Sequence, residues 1–185
     1  MIKINFEVFT RTLEKIENTT SQNEMVSIIS RLLKDSEAEE IDMVCYLVLG
    51  RIAPGYEDIN LGLSEKTVQS AISIASGVSK SQVEEETRNL GDIGEVAGKI
   101  IKKTQNPFKE CFGYTGELSI KDIFQGLRKI ASTGGKGSQD IKKKILASML
   151  IEADETGRRY IARLAEGTMR LGVGDMTILN ALSLA

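Results

Sequence analysis

The chain has 185 residues, a formal net charge of −2, 41% hydrophobic and 27% charged residues, the proportions of an ordinary globular domain. It has no histidine and only two cysteines, Cys45 and Cys111, in no Cys-x-x-Cys pair; a structural zinc, a Cys–His nucleophile and a disulfide framework are therefore not expected. No apolar run approaches the ~20 residues of a membrane span, and Met1 to Glu7 lacks the apolar stretch of a signal peptide, so an intracellular protein with no membrane partner is expected.

Along the chain the apolar spacing is helical. Phe6, Phe9, Leu13 and Ile16 mark a first helix with a narrow stripe. Met25, Ile28, Ile29, Leu32 and Leu33 fall at i, i+3, i+4, i+7 and i+8, one helix face. Cys45 sits in an apolar run, where cysteine acts as a small hydrophobe. Residues 50–63 read as a longer loop that contains apolar residues. The helix carrying Val68, Ala71, Ile72 and Ala75 should end at Gly77. Ile93, Val96, Ala97, Ile100 and Ile101 form the next clear stripe, followed by Ile120, Ile123, Phe124 and Leu127. Start signals of the form cap-x-x-acid stand at Ser21/Glu24, Ser36/Glu39, Ser81/Glu84 and Asp92/Glu95. With no run of strand alternation, the expected fold is all-α, roughly eight to eleven short helices. They form one domain over 1–185 or two small packed subdomains sharing a core.

Charge is unevenly distributed. Residues 1–92 carry 9 Lys and Arg against 16 Asp and Glu, and residues 93–185 carry 15 against 10. The basic half is the place to look for a polyanion. Within it, the glycine-rich segment 131–140 leads into a helix carrying Ile141, Ile145, Leu146, Met149 and Leu150. A helix start offers unpaired N–H groups and the positive dipole end, and glycines let a ligand approach the backbone, so Gly134 to Gln139 suits a phosphate. Lys142, Lys143 and Lys144 in the first turns oppose the dipole unless an anion docks there. A nucleotide P-loop is excluded, because Lys136 is followed by Gly137 and the preceding segment reads as helix. The alternative is a flexible turn with Ser138 as helix cap.

A second feature lies at residues 165–176, where Gly167, Gly172 and Gly174 surround Arg170. Gly172 and Gly174 permit positive φ or close backbone approach to a surface, and Arg170 can then reach phosphates or lie in a minor groove. Arg158, Arg159 and Arg163 precede it at spacings that put at least two on one helix face. Asp175 stands as cap of the last helix, close to Thr177. The alternative is a structural turn with a surface arginine.

At these residues a family resemblance emerges. Glu166 to Leu179, reading Gly, any residue, hydrophobic, Arg, hydrophobic, Gly and then a helix, resembles the closing motif of the DNA-binding domain of archaeal and eukaryotic ATP-dependent DNA ligases. Gly91-Asp92-Ile93-Gly94-Glu95-Val96-Ala97 resembles that family's Gly-Asp-Leu-Gly-x-Val-Ala helix. Gly135-Lys136-Gly137-Ser138-Gln139 resembles its Gly-x-Gly-Ser loop before a lysine-rich helix. The three motifs occur in the expected order, and the resemblance runs from Phe6 to Ala185. Asp175-Met176 departs from the Ala-Glu-Gln or Ala-Asp common after the turn, which puts one local contact in doubt.

The resemblance implies an all-helical domain lying on the minor-groove face of duplex DNA around a nick. It assigns phosphates to the backbone of Gly135, Gly137 and Ser138, with Lys136 and with Lys142 and Lys143 as further candidates. It assigns the minor groove to Thr168, Arg170, Gly172 and Gly174. The ligase nucleotidyltransferase motif, Lys-x-Asp-Gly, is missing from the sequence. The chain by itself is therefore expected to bind nicked duplex DNA without sealing it, and to need no cofactor. ATP and magnesium would serve the catalytic domains of a longer parent polypeptide. Those domains are expected partners, a sliding clamp is a further candidate, and the location would be cytoplasmic and nucleoid-associated in an archaeon or nuclear in a eukaryote. The competing reading is a helical scaffold for a protein partner, which should expose an apolar groove.

Overall fold

Helices form where a capping side chain precedes an apolar stripe. The computed structural model describes residues 4–57, 59–112 and 117–185; Met1 to Lys3, read above for a signal peptide, lie outside the described residues. Helix α1 (Phe6–Glu17) starts where Asn5 Oδ1 accepts the Val8 N–H at 2.9 Å. It buries Phe6, Phe9, Leu13 and Ile16, the predicted stripe. Ser21 caps α2 (Gln22–Asp35) and Asp92 caps α6 (Ile93–Ile100) as the start signals require. Helix α4 (Glu65–Ser76) ends at Gly77 with φ 72°, the left-handed closure that glycine adopts freely.

Two start signals are corrected. Ser36 closes α2 rather than opening a helix, because its Oγ donates to the Leu32 carbonyl at 2.7 Å. A short 3-10 turn, Ala38–Glu40, then leads into α3 (Ile41–Val48) without a side-chain cap. Helix α5 (Lys80–Leu90) starts at Ser79, which forms a reciprocal capping box with Gln82. Ser81 is thereby drawn into the first turn, because only Val78 separates the Gly77 closure of α4 from the Ser79 cap.

The remaining helices are α7 (Lys109–Phe112), α8 (Ile120–Ser132), α9 (Ser138–Glu152), α10 (Glu155–Glu166) and α11 (Asp175–Leu184). Among the described residues no strand forms, and one isolated bridge joins Asn5 to Ser119. The all-α expectation holds. Among the described residues the buried apolar side chains make one cluster from Ile4 to Ala181. Cys45 is a half-buried free thiol packed against that core, and burial pushes its pKa up.

Helix α10 is central, touching α1, α4, α6 and α9 and burying Tyr160, Ile161 and Ala162 completely. Its approach to α6 is set by two glycines one turn apart. A Cβ on Gly94 would lie 2.7 Å from the Arg159 carbonyl oxygen, and one on Gly98 would lie 3.1 Å from that of Glu155. Gly94, part of the Gly-Asp-Ile-Gly segment, is thus a packing residue. Gly94→Ala is expected to lower stability by about 2 kcal/mol, roughly 4–8 °C in Tm for a chain of this length. Thermal unfolding followed by circular dichroism checks this; a Tm rise, as helix propensity alone would give, contradicts the packing role.

Candidate nucleic-acid interface

Helix α9 begins at an uncapped, glycine-built turn. Gly135 and Gly137 have φ of +88° and +83°, and a Cβ at either would meet nothing within 4 Å. Glycine is therefore required by backbone conformation, and the turn faces open space. Gly137 occupies the cap position, and no side chain bonds there. Ser138 is corrected from cap to first helical residue, since the left-handed backbone at the cap belongs to the preceding glycine. Gly134 to Gly137 and Gln139 are exposed, and so is Lys136, which no ion pair holds among the described residues.

The lysines that follow divide. Lys142 is 6% exposed, and its Nζ donates to the Leu61 carbonyl at 2.7 Å. This overturns its assignment to a phosphate: one turn into α9 its side chain points back across the 49–64 loop. Lys143 is half-buried and pairs with the exposed Asp140 at 2.6 Å; the Lys143 ammonium holds the Asp140 carboxyl below the usual carboxylate range. Lys144 is exposed.

The arginine turn is held from within. Helix α10 closes at Gly167 with φ 79°. Thr168 is half-buried, and its hydroxyl donates to Glu166 at 3.0 Å. Leu171 is buried and pins the turn, leaving Arg170 exposed with no partner among the described residues. Gly172 takes φ +68°. Gly174 does not: its φ is −109° and it is the extended cap of α11, which leaves close backbone approach as the part glycine could serve there. Asp175 is the first helical residue rather than the cap, and it pairs with Arg51 at 3.0 Å.

The three arginines upstream of the turn are structural. Arg158 donates to the Leu150 carbonyl at 3.0 Å and the Ile101 carbonyl at 2.6 Å, satisfying orphan acceptors at the ends of α9 and α6. Arg159 reaches Glu14 at 3.1 Å and Glu95 at 2.9 Å. Arg163 joins Asp92 at 2.9 Å and Glu17 at 3.0 Å, and Tyr160 donates to the same Glu17 at 2.6 Å. Burial opposes the Arg163 charge, yet its carboxylate partners hold its pKa above the usual value. Burial likewise opposes ionisation of Asp92, but Arg163 and the Glu95 N–H together hold that carboxyl below its ordinary value. Burial and the Glu17 carboxylate push the Tyr160 phenol up.

One segment brackets the two glycine motifs. At one end of the 49–64 loop, Leu61 accepts from Lys142 and Gly62 accepts from Gln139 at 3.4 Å. At the other end, Gly50 lies against Met169, where a Cβ would stand 2.8 Å from the Met169 Cβ, and Arg51 holds Asp175. The helix start at 135–138 and the turn at 168–174, about 30 residues apart in the chain, thus flank the same loop. Sequence reasoning did not find this bracket. The available signal was the run of apolar residues within the loop, of which Ile52 and Ala53 are buried. No helix among the described residues is long and apolar enough to cross a membrane.

An all-helical domain with two exposed glycine-built turns clamped to one loop is the class defined by this fold. The chain matches the family described as DNA ligase N terminus over residues 5–183, and it belongs to that family. It is 38% identical over 180 residues to a DNA ligase of Pyrobaculum islandicum, covering 97% of this chain and 31% of that protein. It is 39% identical over 181 residues to DNA ligase 2 of Korarchaeum cryptofilum, covering 97% and 30%. A probable DNA ligase of Dictyoglomus turgidum is 40% identical over 172 residues, covering 93% and 28%. The chain therefore spans less than a third of the length of these relatives.

Two outcomes follow from the interior contacts. A depressed carboxylate contributes stability above its unfolded pKa of ~3.9, and that contribution is lost as pH falls through its folded value. Asp92→Asn keeps an oxygen that can cap α6 but removes the carboxylate partner of Arg163, and is expected to lower stability near pH 7 by about 1–2 kcal/mol and to flatten the loss of Tm below about pH 4. Thermal scans from neutral to acid pH test both. Lys142→Met should cost about 1–2 kcal/mol and accelerate amide exchange across residues 59–64. Unchanged exchange there would show that Lys142 does not anchor the loop.

Proposed function

We propose that this domain binds duplex DNA without regard to sequence and holds a nick for the catalytic part of an ATP-dependent DNA ligase. The observation that carries the reading is the shared bracket. The Gly135–Ser138 helix start and the Thr168–Gly174 turn are both open to solvent, and both are tied to the 49–64 loop. In this reading the backbone at Gly135, Gly137 and Ser138, with Lys136 and Lys143, meets phosphates of one strand. Arg170, standing out on its buried Leu171 anchor between Thr168 and Gly172, enters the minor groove, with the backbone at Gly174 close behind.

The chemistry suits a ligase, which must act at any sequence. Contacts to phosphates and groove shape position a protein on the duplex, whereas base edges in the major groove specify sequence. The acidic first half does not oppose this, because binding depends on the local field and not on the net charge. The parent enzyme would act in DNA replication and repair, with ATP and magnesium bound by its catalytic domains, in a setting that would be cytoplasmic and nucleoid-associated. A second reading, contact with a protein partner, is favoured at one place. The outer face of α11 exposes Met176, Leu179, Leu182 and Leu184, an apolar stripe suited to another domain of the same polypeptide or to a clamp.

The test is fluorescence anisotropy of a labelled nicked duplex titrated with the chain at several salt concentrations, without ATP. With about five phosphates neutralised, the slope of log K against log salt should be near −4 to −5. Arg170→Ala should weaken binding by about tenfold, equally for unrelated sequences. A marked sequence preference, or an Arg170→Ala variant that binds like the parent at low salt, would sink the reading.

A further inference from the structure

Beyond the two glycine motifs, a cleft lies between the first turns of α4, α5 and α9. We propose that it is a third contact for the duplex, taking a backbone phosphodiester on Lys66, Lys80 and Lys143, with Ser64, Thr67 and Gln139 completing its walls. The proposal rests on the duplex-binding reading above and deepens it.

Three lysines from three different helices converge on this cleft, and among the described residues no carboxylate lines it. Lys66 is exposed and has no ion-pair partner among the described residues. Lys80 has only a loose pairing with Glu84 at 3.8 Å, both side chains about half exposed. Lys143 pairs with Asp140 on the rim, whose side chain is 74% exposed. Exposed pairs of this kind are worth little, so both ammonium groups can turn to a stronger anion. Ser64 and Thr67 hydroxyls stand 2.9 Å apart and add neutral donors.

The position of the cleft decides what kind of anion it suits. Gln139, on its wall, directly follows Ser138 of the glycine-rich helix start, so the cleft continues from that motif. On the other side of the α4 start, Glu65 lines a second concavity together with Arg88, Thr168 and Arg170, where the carboxylates of Glu17 and Asp92 are engaged by Arg163 and that of Glu166 accepts from Thr168. The first turn of α4 therefore stands between the lysine cleft and the arginine turn. Such an open site, with no buried donor to enclose a small ion, gains most from a polyanion already held on both sides. Each additional phosphate neutralised then releases counterions.

The experiment uses the same nicked duplex and salt series with Lys66→Gln, Lys80→Gln, their double variant, Asp140→Asn, and Lys121→Gln on α8 as a control outside the cleft. Each cleft lysine variant should weaken binding by about threefold to tenfold and make the salt slope less negative by about 0.9, with the double variant adding the two. Asp140→Asn, which removes a carboxylate and releases Lys143, should tighten binding by about twofold or more. Lys121→Gln should change neither affinity nor slope. Circular dichroism of every variant separates these effects from misfolding. If the cleft variants match the parent while Arg170→Ala still weakens binding, the cleft is overturned and the duplex reading stands. An equal loss with Lys121→Gln would also overturn it, by reducing the effect to general charge. If the parent chain binds no duplex at any salt, the duplex reading fails and the cleft falls with it. A phosphate-dependent rise in Tm, abolished in Lys66→Gln, would reassign the cleft to a small anion and overturn its assignment to the duplex backbone.

Discussion

Arg163 ties three helices together at the point from which the arginine turn emerges. Its side chain is only 10% exposed, and it meets Glu17 of α1 and both Asp92 and Glu95 at the start of α6. A guanidinium in such a place is favourable only with its partners present, and removing one from a fully buried pair costs about 3–5 kcal/mol. Here the carboxylates are about a third exposed or more, so solvent screening brings the figure toward or below the lower end. Tyr160 completes the arrangement by donating to Glu17 and stacking under the Arg163 cation, 5.5 Å from its ring centre. Four residues after Arg163, α10 ends at Gly167 and the exposed turn begins. The interior ion cluster therefore fixes the height and direction from which Arg170 departs.

The same logic, interior charge holding exterior geometry, operates at Lys142. A lysine one turn into a helix would ordinarily reach solvent, as Lys144 does. Lys142 instead crosses to Leu61 and ties the 49–64 loop to α9, close to Gly62. Opposite it, Gly50 closes on Met169 and Arg51 on Asp175. A loop held at both ends by different helices becomes a spacer between two surface motifs. The distance between those motifs then depends on packing rather than on the chain that connects them.

These arrangements explain where sequence reading succeeded and where it stopped. Stripes such as Phe6, Phe9, Leu13 and Ile16 were legible because helical periodicity is a local property, and so were the Ser21, Asp92 and Gly77 boundaries. The Ser36 and Ser81 signals misled because a serine hydroxyl can equally close a helix, or sit two residues inside another serine's cap. The basic character of the second half was legible as a count but not as a surface. Arg158 and Arg163 are buried and Arg159 is half-buried on carboxylate partners, while Lys66 and Lys80 of the acidic half stand exposed around a cleft.

What the sequence by itself determined is the helical class, the two glycine motifs and the family to which they belong. Each is carried by residues close together in the chain: apolar spacing, a left-handed glycine, an arginine beside a buried leucine. Which charges face inward was decided only by the tertiary structure. Helix α10 runs through the core, so Arg159 and Arg163 on it find carboxylates from α1 and the start of α6, which lie 64 (159 − 95) to 146 residues away in the chain. The same holds for the bracket around the 49–64 loop. Its contacts join residues 77 to 124 positions apart, and no local pattern records a pairing at that range.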